Sequence, residues 1–308
     1  MQTILGSGGI IGHEASFCLS EFTDRIRQVS RNPKKVNDSD QVFPADVKSE
    51  LDVRQAVKGS DVVYLTVGLP YNTKIWQEYW PVIMRNTINA CKEHNAKLVF
   101  FDNVYMYGKV DGWMTEETPF NPCSKKGEIR AKVAEMLLEE MNKGNIKALI
   151  ARSADFYGPR AANTYLTPMV FDRLNNGKKP QLMISSKTKH SLTFTPDAAR
   201  SMVLLGNSND AYGQSWHLPT DKDVMTGEEL VKEASRIFNK KNSFSLLSPM
   251  MIKMASWFSP AIKESREMLY QFEYDYLFDS TKFNEIYFEP TSYINGIETI
   301  YRTQYSES

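Results

Sequence analysis

Apolar and polar residues alternate in a regular order along the first half of the chain. Short apolar runs predict strands at 2–5, 25–30, 41–45, 61–67, 97–102 and 146–152. Between them, stretches with a helical period predict helices at 10–20, 49–58, 75–94 and 124–142. Several of the strands are apolar throughout, as strands covered on both faces are. The alternation therefore predicts an α/β fold, a Rossmann-type doubly wound parallel sheet.

The rhythm of the pattern changes in the second half of the chain. Shorter strands and helices are predicted there, at 191–195, 196–205, 214–218 and 226–238. No long run of glycine, serine and proline divides the chain, so an independent second domain is not expected. We predict a Rossmann domain over residues 1–155 and a smaller, interleaved C-terminal substrate lobe over residues 156–308.

The most apolar window of the chain covers residues 246–262. It is shorter than the roughly 20 residues that a membrane-spanning helix needs, and it contains Pro249, Lys253 and Pro260. We predict that it does not cross a membrane and forms a buried or pocket-lining helix of the substrate lobe. Its methionine and tryptophan content leaves a helix on a lipid surface or against a partner as the alternative.

Charge and cysteine usage narrow the class of protein further. The 37 basic residues balance the 37 acidic ones, so whole-chain charge indicates neither nucleic acid nor an anionic membrane as the principal partner. Cys18, Cys91 and Cys123 are odd in number and widely spaced, which is typical of reduced thiols and indicates a cytoplasmic protein. The four histidines lack the i, i+4 spacing of a helical metal site, so no metal is predicted.

The first strand runs into a glycine-rich turn, GSGGIIG, at the start of the first predicted helix. Gly6, Gly9 and Gly12 stand three residues apart, with Ile10 and Ile11 between the last two. Glycines at such a junction allow a tight turn, bring backbone N–H groups against a pyrophosphate and pack the helix on the strand. This context predicts that residues 1–155 bind a dinucleotide, NAD or NADP, rather than form a merely structural turn.

The end of the second strand bears on which dinucleotide binds. NAD enzymes place a carboxylate there for the ribose 2′-OH, whereas this chain has Ser30 and Arg31, followed by Lys34 and Lys35. The guanidinium of Arg31 suits a 2′-phosphate, so we predict a weak preference for NADP over NAD. The alternative is a solvated basic turn.

Seven stretches, in order, resemble the extended short-chain dehydrogenase/reductases, the NAD-dependent epimerases and dehydratases that act mostly on nucleotide sugars. They are GSGGIIG (6–12), AD (45–46), VYLTVG (63–68), VYMYG (104–108), TEETPFNP (115–122), RSADFYGPR (152–160) and FTPDAARSM (194–202). The resemblance implies an adenine contact at Asp46 and Val47. It places Thr66 and Val67 beside the cofactor ribose and Asn103 at the far end of the cofactor site.

The family's chemistry rests on a tyrosine and a lysine four residues later on one helix, assisted by a serine or threonine after the preceding strand. Aligned on its flanking motifs, this chain has Gly127 and Ala131 at the tyrosine and lysine positions. Asn103 stands at the serine or threonine position. All three catalytic identities are therefore absent.

Two cations lie one residue earlier on the same predicted helix. Lys126 and Arg130 have the i, i+4 spacing and so share a face. Either could act at the site by holding a ribose or a phosphate of the cofactor, or a carboxylate or phosphate of the substrate. The alternative is an ordinary solvated face shared with Glu128 and Glu135.

By family position, Tyr107 and Tyr157 are the nearest candidates for a general acid, unless they pack in a core. Tyr71, Tyr157 and Arg160 would line the substrate cleft at the carboxyl ends of the strands. An arginine there suits an anionic substrate, although it could equally hold a loop in place.

The resemblance implies an atypical NAD(P)-dependent oxidoreductase or epimerase/dehydratase that acts on a small anionic or sugar-like substrate, such as a nucleotide sugar. The alternative is a non-catalytic dinucleotide-binding redox sensor or regulatory protein. The resemblance also implies a homodimer through helices 75–94 and 124–142, which carry Trp76, Trp80 and Met84.

Overall fold

The computed structural model describes residues 1–162 and 164–306. The chain divides into two compact units, each built from several segments. Unit 1 comprises Met1–Met106, Lys125–Ser153 and Ala198–Leu218, and unit 2 comprises Tyr107–Ser124, Ala154–Asp197 and Pro219–Ser308. The single boundary after residue 155 does not match these units, because each unit takes segments from both sides of it.

Strands and helices are numbered along the chain. The strands are β1 (Gln2–Leu5), β2 (Ile26–Ser30), β3 (Gln41–Pro44), β4 (Val62–Leu65), β5 (Lys97–Asp102), β6 (Trp113–Met114), β7 (Ala148–Arg152), β8 (Asp155–Tyr157), β9 (Gln181–Met183), β10 (Leu192–Phe194), β11 (Ser215–His217), β12 (Ser245–Leu247) and β13 (Leu277–Phe278). The helices are α1 (Ile10–Leu19), α2 (Glu50–Val57), α3 (Thr73–His94), α4 (Lys125–Asn142), α5 (Asp172–Asn175), α6 (Thr195–Asn207), α7 (Gly227–Ile237), α8 (Pro249–Ala255), α9 (Pro260–Ser265), α10 (Thr281–Asn284) and α11 (Tyr293–Gln304).

Seven strands of unit 1 form one sheet in the order β11-β7-β5-β4-β1-β2-β3, and all neighbouring pairs are parallel. Helices cover both faces. The strand order reverses between β1 and β4, which is the switch point where open α/β sheets bind ligands. This architecture confirms the predicted doubly wound α/β fold.

The predicted elements of the first half are all present, with ends that differ by at most two residues. Local signals explain the ends. Asn72 caps α3 by accepting a hydrogen bond from the Ile75 N–H, and Asn95, with φ of 51°, ends that helix in the left-handed conformation. Gly144 follows α4 with φ of 70°. The predicted strand at 214–218, assigned to the second lobe, instead forms β11 of the unit 1 sheet.

Unit 2 contains three short parallel pairs, β10-β8, β12-β9 and β13-β6. Its hydrophobic core gathers α7, α11 and the segment around α5, with Tyr157, Phe171, Leu230 and Tyr293 each less than 5% exposed. α7 begins with a capping box in which Thr226 and Glu229 bond to each other's backbone N–H groups. Packing of these helices around a shared apolar core, rather than one large sheet, therefore stabilises the described part of unit 2.

The apolar window at 246–262 does not form one buried helix, so that part of the prediction is wrong, whereas the pocket-lining part agrees with a cavity of unit 2 whose wall includes Pro249 and Met250. Pro249 and Pro260 each occupy the first position of a helix, α8 and α9, because proline is accepted there and interrupts a longer helix. Of the side chains in the window, Ile252 is 6% exposed, whereas Trp257 and Phe258 are 71% and 86% exposed. The segment therefore presents most of its apolar surface to solvent.

The long helices α3 and α4 pack side by side in unit 1. Trp76, Trp80 and Met84 are all buried within this unit, so they cannot supply the apolar contact surface that was expected for a dimer. No helix in residues 1–162 and 164–306 is long and apolar enough to cross a bilayer. The three cysteines are free thiols.

Candidate functional site

The turn between β1 and α1 brings three backbone segments together at the carboxyl end of the sheet. Gly6 has φ of +98°, and a Cβ there would lie 2.7 Å from Val67 N. A Cβ on Gly12 would lie 2.8 Å from Gly6 O and 3.0 Å from Thr66 Oγ1. Gly9 is less restricted, because its Cβ would lie 3.5 Å from the nearest atom. Close backbone approach therefore requires glycine at two of the three predicted positions.

The same turn offers hydrogen-bond donors to an anion. The backbone N–H groups of Ile10 and Ile11 belong to the first turn of α1, where no intrahelical acceptor is available, and no acidic side chain lies in that turn. Ser7 Oγ is buried and forms no hydrogen bond within the described residues. These features fit the pyrophosphate of a dinucleotide, which would accept from the helix N-terminus and from the Ser7 hydroxyl.

The loop after β2 is anchored by a buried carboxylate. Asp40 is 2% exposed and accepts hydrogen bonds from Gln28 Nε2 at 2.8 Å. It also accepts from the backbone N–H groups of Val36 and Asn37, each at 2.9 Å. Burial acts to raise the pKa of Asp40, but these hydrogen bonds outweigh it and the pKa is lowered. Asp40 therefore uses its carboxylate within the loop after β2 and stabilises the conformation of that loop.

Ser30 and Arg31 stand at the start of this loop. Ser30 Oγ lies 3.9 Å from the position that a Cβ on Gly8 would take, so the end of β2 borders the glycine turn. Arg31 is exposed, with its guanidinium accessible to a ligand as well as to water. The geometry is compatible with the predicted contact to a ribose phosphate.

The segment after β3 is fixed by a side chain from α3. Asn86 Nδ2 donates hydrogen bonds to Val47 O at 3.2 Å and to Lys48 O at 3.0 Å. Asp46 Oδ1 accepts from Lys48 N at 3.0 Å, and its other oxygen lies 3.3 Å from Lys48 Nζ. On the next strand, Thr66 Oγ1 donates to a backbone carbonyl of β1. The residues that were predicted to contact adenine and ribose therefore lie in partly buried segments that hydrogen bonds hold in place.

A buried ion-pair cluster lies at the carboxyl end of β5. Asp102 is 1% exposed and accepts hydrogen bonds from Arg130 Nε at 2.9 Å and from Arg130 Nη2. Its other carboxylate oxygen lies 3.7 Å from Arg152 Nε. The Arg130 guanidinium also lies 4.2 Å from the centroid of the Trp80 ring and 5.0 Å from that of Phe100. Arg130 is therefore held in a single place by charge and by aromatic packing.

Lys126 lies one turn earlier on α4 and is fully buried. Its Nζ donates a hydrogen bond to Thr73 Oγ1 at 2.9 Å and lies 4.6 Å from the centroid of the Tyr71 ring. Tyr71, predicted as a substrate contact, is 38% exposed. The structure thus joins the start of α4 to the start of α3 and to the loop after β4.

The alternative prediction, in which these cations form a solvated face with the neighbouring glutamates, is wrong. Glu128 and Glu135 are exposed, whereas Lys126 and Arg130 are buried on the other side of α4. The i, i+4 spacing predicted correctly that the two cations share one face of the helix. Spacing alone does not predict whether that face is buried or exposed.

Asn103, which the alignment places at the family's serine or threonine position, caps a short turn. Its Oδ1 accepts a hydrogen bond from Tyr105 N at 3.1 Å, and its own N–H donates to Asp102 Oδ1 at 2.8 Å. The side chain is half-buried. Its oxygen serves the backbone, which leaves Nδ2 as the donor that this side chain could offer to a ligand.

The two tyrosines expected as general acids lie inside unit 2. Tyr107 is fully buried, with its ring edge-on to Phe120 at 6.0 Å. Tyr157 is 1% exposed and packs between Phe194 and Tyr293. Burial, together with Tyr293, raises the pKa of the Tyr157 hydroxyl well above its usual value. These surroundings favour packing in the core of unit 2 for Tyr157, rather than either of its predicted roles as a general acid or a substrate contact.

Arg160 is exposed and has φ of 60°, in the left-handed region that a non-glycine residue rarely adopts. It follows Gly158, where any Cβ would collide with Thr195. Backbone held in this way is often found in ligand-binding loops. Arg160 thus remains a prediction for an anion contact.

Four contributors were missed by the sequence reasoning, namely Ser7, Thr73, Asp102 and Arg152. A usable signal existed for two of them, because Asp102 and Arg152 are charged residues at the carboxyl ends of strands whose interior residues are all apolar. Charged groups in such positions lie at the ligand-binding edge of a parallel sheet. Ser7 lies within the GSGGIIG motif, but nothing in the motif singles out its hydroxyl, and nothing around Thr73 distinguishes it from an ordinary cap residue.

Comparison with known families identifies the class of protein. The sequence model of the NAD dependent epimerase/dehydratase family matches residues 3–217. The chain therefore belongs to the NAD-dependent epimerase/dehydratase family, as the motifs predicted. A search among curated proteins found no match.

Solved structures with the same fold include enzymes that act on nucleotide sugars. UDP-glucuronic acid 4-epimerase from Bacillus cereus, in complex with NAD, has a TM-score of 0.79 and 17% identity over 98% of both chains. UDP-glucose 4-epimerase from Thermus thermophilus, in complex with NAD, has a TM-score of 0.78 and 16% identity over 99% of this chain and 100% of that chain. A dTDP-glucose 4,6-dehydratase from Streptomyces venezuelae, with NAD and TYD bound, has a TM-score of 0.79 and 15% identity over 99% and 98%. The similarity extends over the whole chain and concerns the fold.

Proposed function

We propose that this chain is an atypical NAD(P)-dependent epimerase/dehydratase-like oxidoreductase for a small anionic or sugar-like substrate, with Lys126 as the group that meets the substrate. The observation that carries the proposal is the position of Lys126 at the start of α4, where its Nζ lies 2.9 Å from Thr73 Oγ1 and 4.6 Å from the centroid of the ring of Tyr71, which is 38% exposed. An ammonium group in this position would donate hydrogen bonds to phosphate oxygens. Nucleotide sugars, the substrates of the similar enzymes, carry such phosphates.

The dinucleotide would lie along the carboxyl ends of the unit 1 strands. The glycine turn and the first N–H groups of α1 would hold the pyrophosphate, with Asp46 and Val47 toward adenine. Thr66 and Val67 would lie beside the ribose, and Asn103 toward the nicotinamide. The nicotinamide would supply hydride transfer, and the protein would supply orientation and charge. The exposed Arg31 supports NADP as the preferred form.

We further propose that Lys126 and Arg130 themselves take the places of the family's tyrosine and lysine. The alignment on flanking motifs put Gly127 and Ala131 there, but neither has a side chain that reaches beyond the helix surface. The inward side chains with the required spacing are Lys126 and Arg130, and Arg130 bonds to Asp102 at the end of β5. A shift of one residue in the alignment would place these two cations at the positions of the family's tyrosine and lysine.

The two cations would have different tasks. Arg130 is fixed by Asp102 and by two aromatic rings, so it acts as a positioning residue. Lys126 contacts the neutral side chains of Thr73 and Tyr71 and lies one turn nearer the start of α4. From this position Lys126 would donate a hydrogen bond to a substrate oxygen.

The alternative function, a non-catalytic dinucleotide-binding sensor, is favoured by one observation. The start of α4 carries no phenol, and Asn103 uses its side-chain oxygen to cap the turn at Tyr105. A site without a hydroxyl acid would bind a nucleotide without turnover. The two functions thus share the cofactor site and differ in the chemistry at α4.

One experiment separates them. The protein is titrated with NADH and NADPH, and is then mixed either with the oxidised cofactors and a panel of UDP- and dTDP-sugars, or with the reduced cofactors and simple carbonyl compounds. Turnover is followed by nicotinamide absorbance and, for epimerisation, by NMR of the sugar. Turnover of any substrate supports the enzyme, whereas tight nucleotide binding with no turnover across the panel supports the sensor. Failure to bind either nucleotide would overturn both.

A homodimer through helices 75–94 and 124–142 remains part of the proposal. It rests on the resemblance to the family, and the contact would be polar, because the outer faces of the packed helices α3 and α4 carry mainly polar and charged residues. Light scattering during size exclusion checks it directly. A mass of one chain at micromolar concentration would remove the dimer without affecting the cofactor site.

A further inference from the structure

A buried histidine in unit 2 has a hydrogen-bond acceptor at each of its two ring nitrogens. His190 is 7% exposed. Its Nε2 lies 3.0 Å from Asp155 Oδ2, and its Nδ1 lies 3.2 Å from the backbone carbonyl oxygen of Gln271. A backbone carbonyl and an ionised carboxylate only accept hydrogen bonds, whereas a neutral imidazole has a single N–H to donate. A neutral ring beside an ionised Asp155 could therefore satisfy only one of the two acceptors.

The geometry thus requires one proton more than a neutral imidazole and a carboxylate hold. That proton lies between His190 Nε2 and Asp155 Oδ2, whether it is assigned to the nitrogen or to the oxygen, while the Nδ1–H donates to Gln271 O. With the proton in place, the histidine and the aspartate together carry no net charge. Without it, a lone pair of the ring faces one of the two acceptors, and that contact is lost.

The tyrosines around the ring do not change their charge in the same pH range. The centroid of the His190 ring lies 5.8 Å from that of Tyr165 and 5.5 Å from that of Tyr276, and Tyr270 in turn lies 6.1 Å from Tyr276. Burial raises the pKa of all three hydroxyls, so they stay neutral where a histidine titrates. The proton shared with Asp155 is therefore the one that pH controls at this place.

The histidine joins two segments of unit 2. Asp155 begins β8, which pairs with β10, whereas Gln271 belongs to the short 3₁₀ helix Arg266–Phe272. The His190 ring also stacks on Phe272, with the ring centroids 4.9 Å apart and the planes at 11°. The contacts of this one side chain therefore attach the 3₁₀ helix to the β8–β10 pair.

The backbone next to the histidine is held by bonds that do not depend on the shared proton. Asp275 Oδ1 accepts a hydrogen bond from the Lys189 N–H at 2.8 Å. Tyr276 N donates to Lys189 O, and Ser191 N donates to Tyr276 O, each at 2.9 Å. Loss of the proton would leave these bonds in place, so its effect should be confined to residues 266–272.

The contact with Gln271 is the weaker of the two and should be the one that is lost. A hydrogen bond to an ionised carboxylate is stronger than one to a neutral carbonyl, so a neutral His190 would keep its N–H at Nε2, toward Asp155. Nδ1 would then turn a lone pair toward Gln271 O. The 3₁₀ helix that would loosen forms part of the wall of a cavity of about 620 Å³, to which it contributes Arg266, Glu267, Leu269 and Tyr270.

We propose that His190 and Asp155 form a proton-dependent contact that holds the 3₁₀ helix Arg266–Phe272 in place at low pH and releases it as pH rises. Histidine is the side chain whose charge ordinarily changes between about pH 5 and 8, and here that change decides whether Gln271 O has its donor. Release of the helix would open one wall of the cavity. This inference is independent of the function proposed for unit 1.

The test is hydrogen exchange of the full chain at pH 6 and pH 9, followed by mass spectrometry and corrected for the intrinsic pH dependence of exchange. Protection of the amides in residues 266–272 is expected to fall about tenfold between the two pH values, because a buried acceptor loses its donor. Protection of α7, in the same unit, is the internal reference and should change less than about twofold.

Asp155→Asn is the decisive variant. Its amide would donate to Nε2 of a neutral His190, and the Nδ1–H would stay on Gln271 O, so both contacts persist without the shared proton. Protection of residues 266–272 in this variant is expected to be the same at pH 6 and pH 9 within about twofold. His190→Phe keeps a ring for stacking but has no nitrogen, so protection should be low at both pH values.

His94→Phe is the matched control, because His94 lies on α3 in unit 1 and should leave the pH dependence of residues 266–272 unchanged. The proposal fails if the unmodified protein protects these residues equally at the two pH values. It also fails if protection falls as much in Asp155→Asn as in the unmodified protein, or if His190→Phe keeps the pH dependence.

Discussion

The turn after β1 and the start of α4 both lie in unit 1, but they depart from the family pattern to different degrees. The turn keeps its glycines because Gly6 and Gly12 face backbone atoms at 2.7–2.8 Å from any added Cβ. The start of α4 carries Lys126 and Arg130 in the stretch where the alignment on flanking motifs places the family's tyrosine and lysine. A site formed by backbone restricts the sequence to glycine, whereas a site formed by side chains can exchange one chemistry for another on the same scaffold.

This difference explains why the two sites call for different tests. Changing the turn should damage the fold and the nucleotide site together, because close packing and function use the same atoms. Changing α4 should separate stability from chemistry, because Arg130 and Asp102 support the helix while Lys126 is proposed to serve the substrate.

The largest effect is expected for Asp102→Ala. The substitution leaves Arg130 and Arg152 buried without their carboxylate, so it should lower the free energy of unfolding by about 3–5 kcal/mol. Urea denaturation measures the change. Glu128→Ala, on the exposed side of the same helix, is the control and should change stability by less than about 0.5 kcal/mol. A loss below about 1 kcal/mol for Asp102→Ala would contradict the role given to the ion-pair cluster.

Gly6→Ala is expected to cost about 3 kcal/mol in stability and to abolish nucleotide binding. Its φ of +98° disfavours any side chain, and the new Cβ would meet the backbone of Val67. Gly9→Ala is the matched variant, since its φ is −83° and its Cβ position is open to 3.5 Å. Thermal unfolding should show a loss of less than about 1 kcal/mol for Gly9→Ala. Equal losses in both variants would mean that close backbone approach is not what restricts the turn.

Asp40→Asn should have an intermediate effect that depends on pH. The pKa of Asp40 is lowered in the folded protein, so its carboxylate stabilises the fold at neutral pH and loses that contribution as pH falls through the folded-state pKa. We expect the variant to be less stable by about 2 kcal/mol at pH 7, and the difference to shrink below about pH 4. A difference that stays constant between pH 7 and pH 3 would count against the hydrogen-bond network of the loop after β2.

The smallest effect is expected for Arg31→Ser. Arg31 is exposed, so the variant should keep its stability, while the ratio of NADPH to NADH affinity should fall about tenfold. Fluorescence titration with the two reduced cofactors measures the ratio, and Lys34→Ser provides the comparison. An unchanged ratio would assign Arg31 to the solvated basic turn.

Much of unit 1 could be predicted from the sequence because its signals are local. Apolar runs located the six strands, and caps such as Asn72 and Gly144 explain where the helices begin and end. The seventh strand, β11, was assigned to the wrong lobe, because its pairing with β7 joins residues more than 60 positions apart. Division of the chain into units depends on such distant pairings, which periodicity does not show.

The site was predicted less completely than the fold. The glycine turn follows from a spacing, but the inward face of α4 depends on burial of Arg130 against Asp102, an interaction across 28 positions. Composition likewise suggested a buried helix at 246–262, although two prolines divide the window and turn its aromatic residues outward. Side-chain environment, rather than residue type, decided both outcomes.

The central claim is that Lys126 meets the substrate, and single-turnover kinetics of Lys126→Met tests it most directly. The substrate is one that turns over in the nucleotide-sugar and carbonyl panel, and Lys125→Met, at the neighbouring exposed lysine, is the control. We predict that Lys126→Met lowers the turnover rate about 100-fold or more while nucleotide affinity stays within about threefold, and that Lys125→Met changes neither. Unchanged turnover in Lys126→Met, or equal losses in the two variants, would contradict the claim.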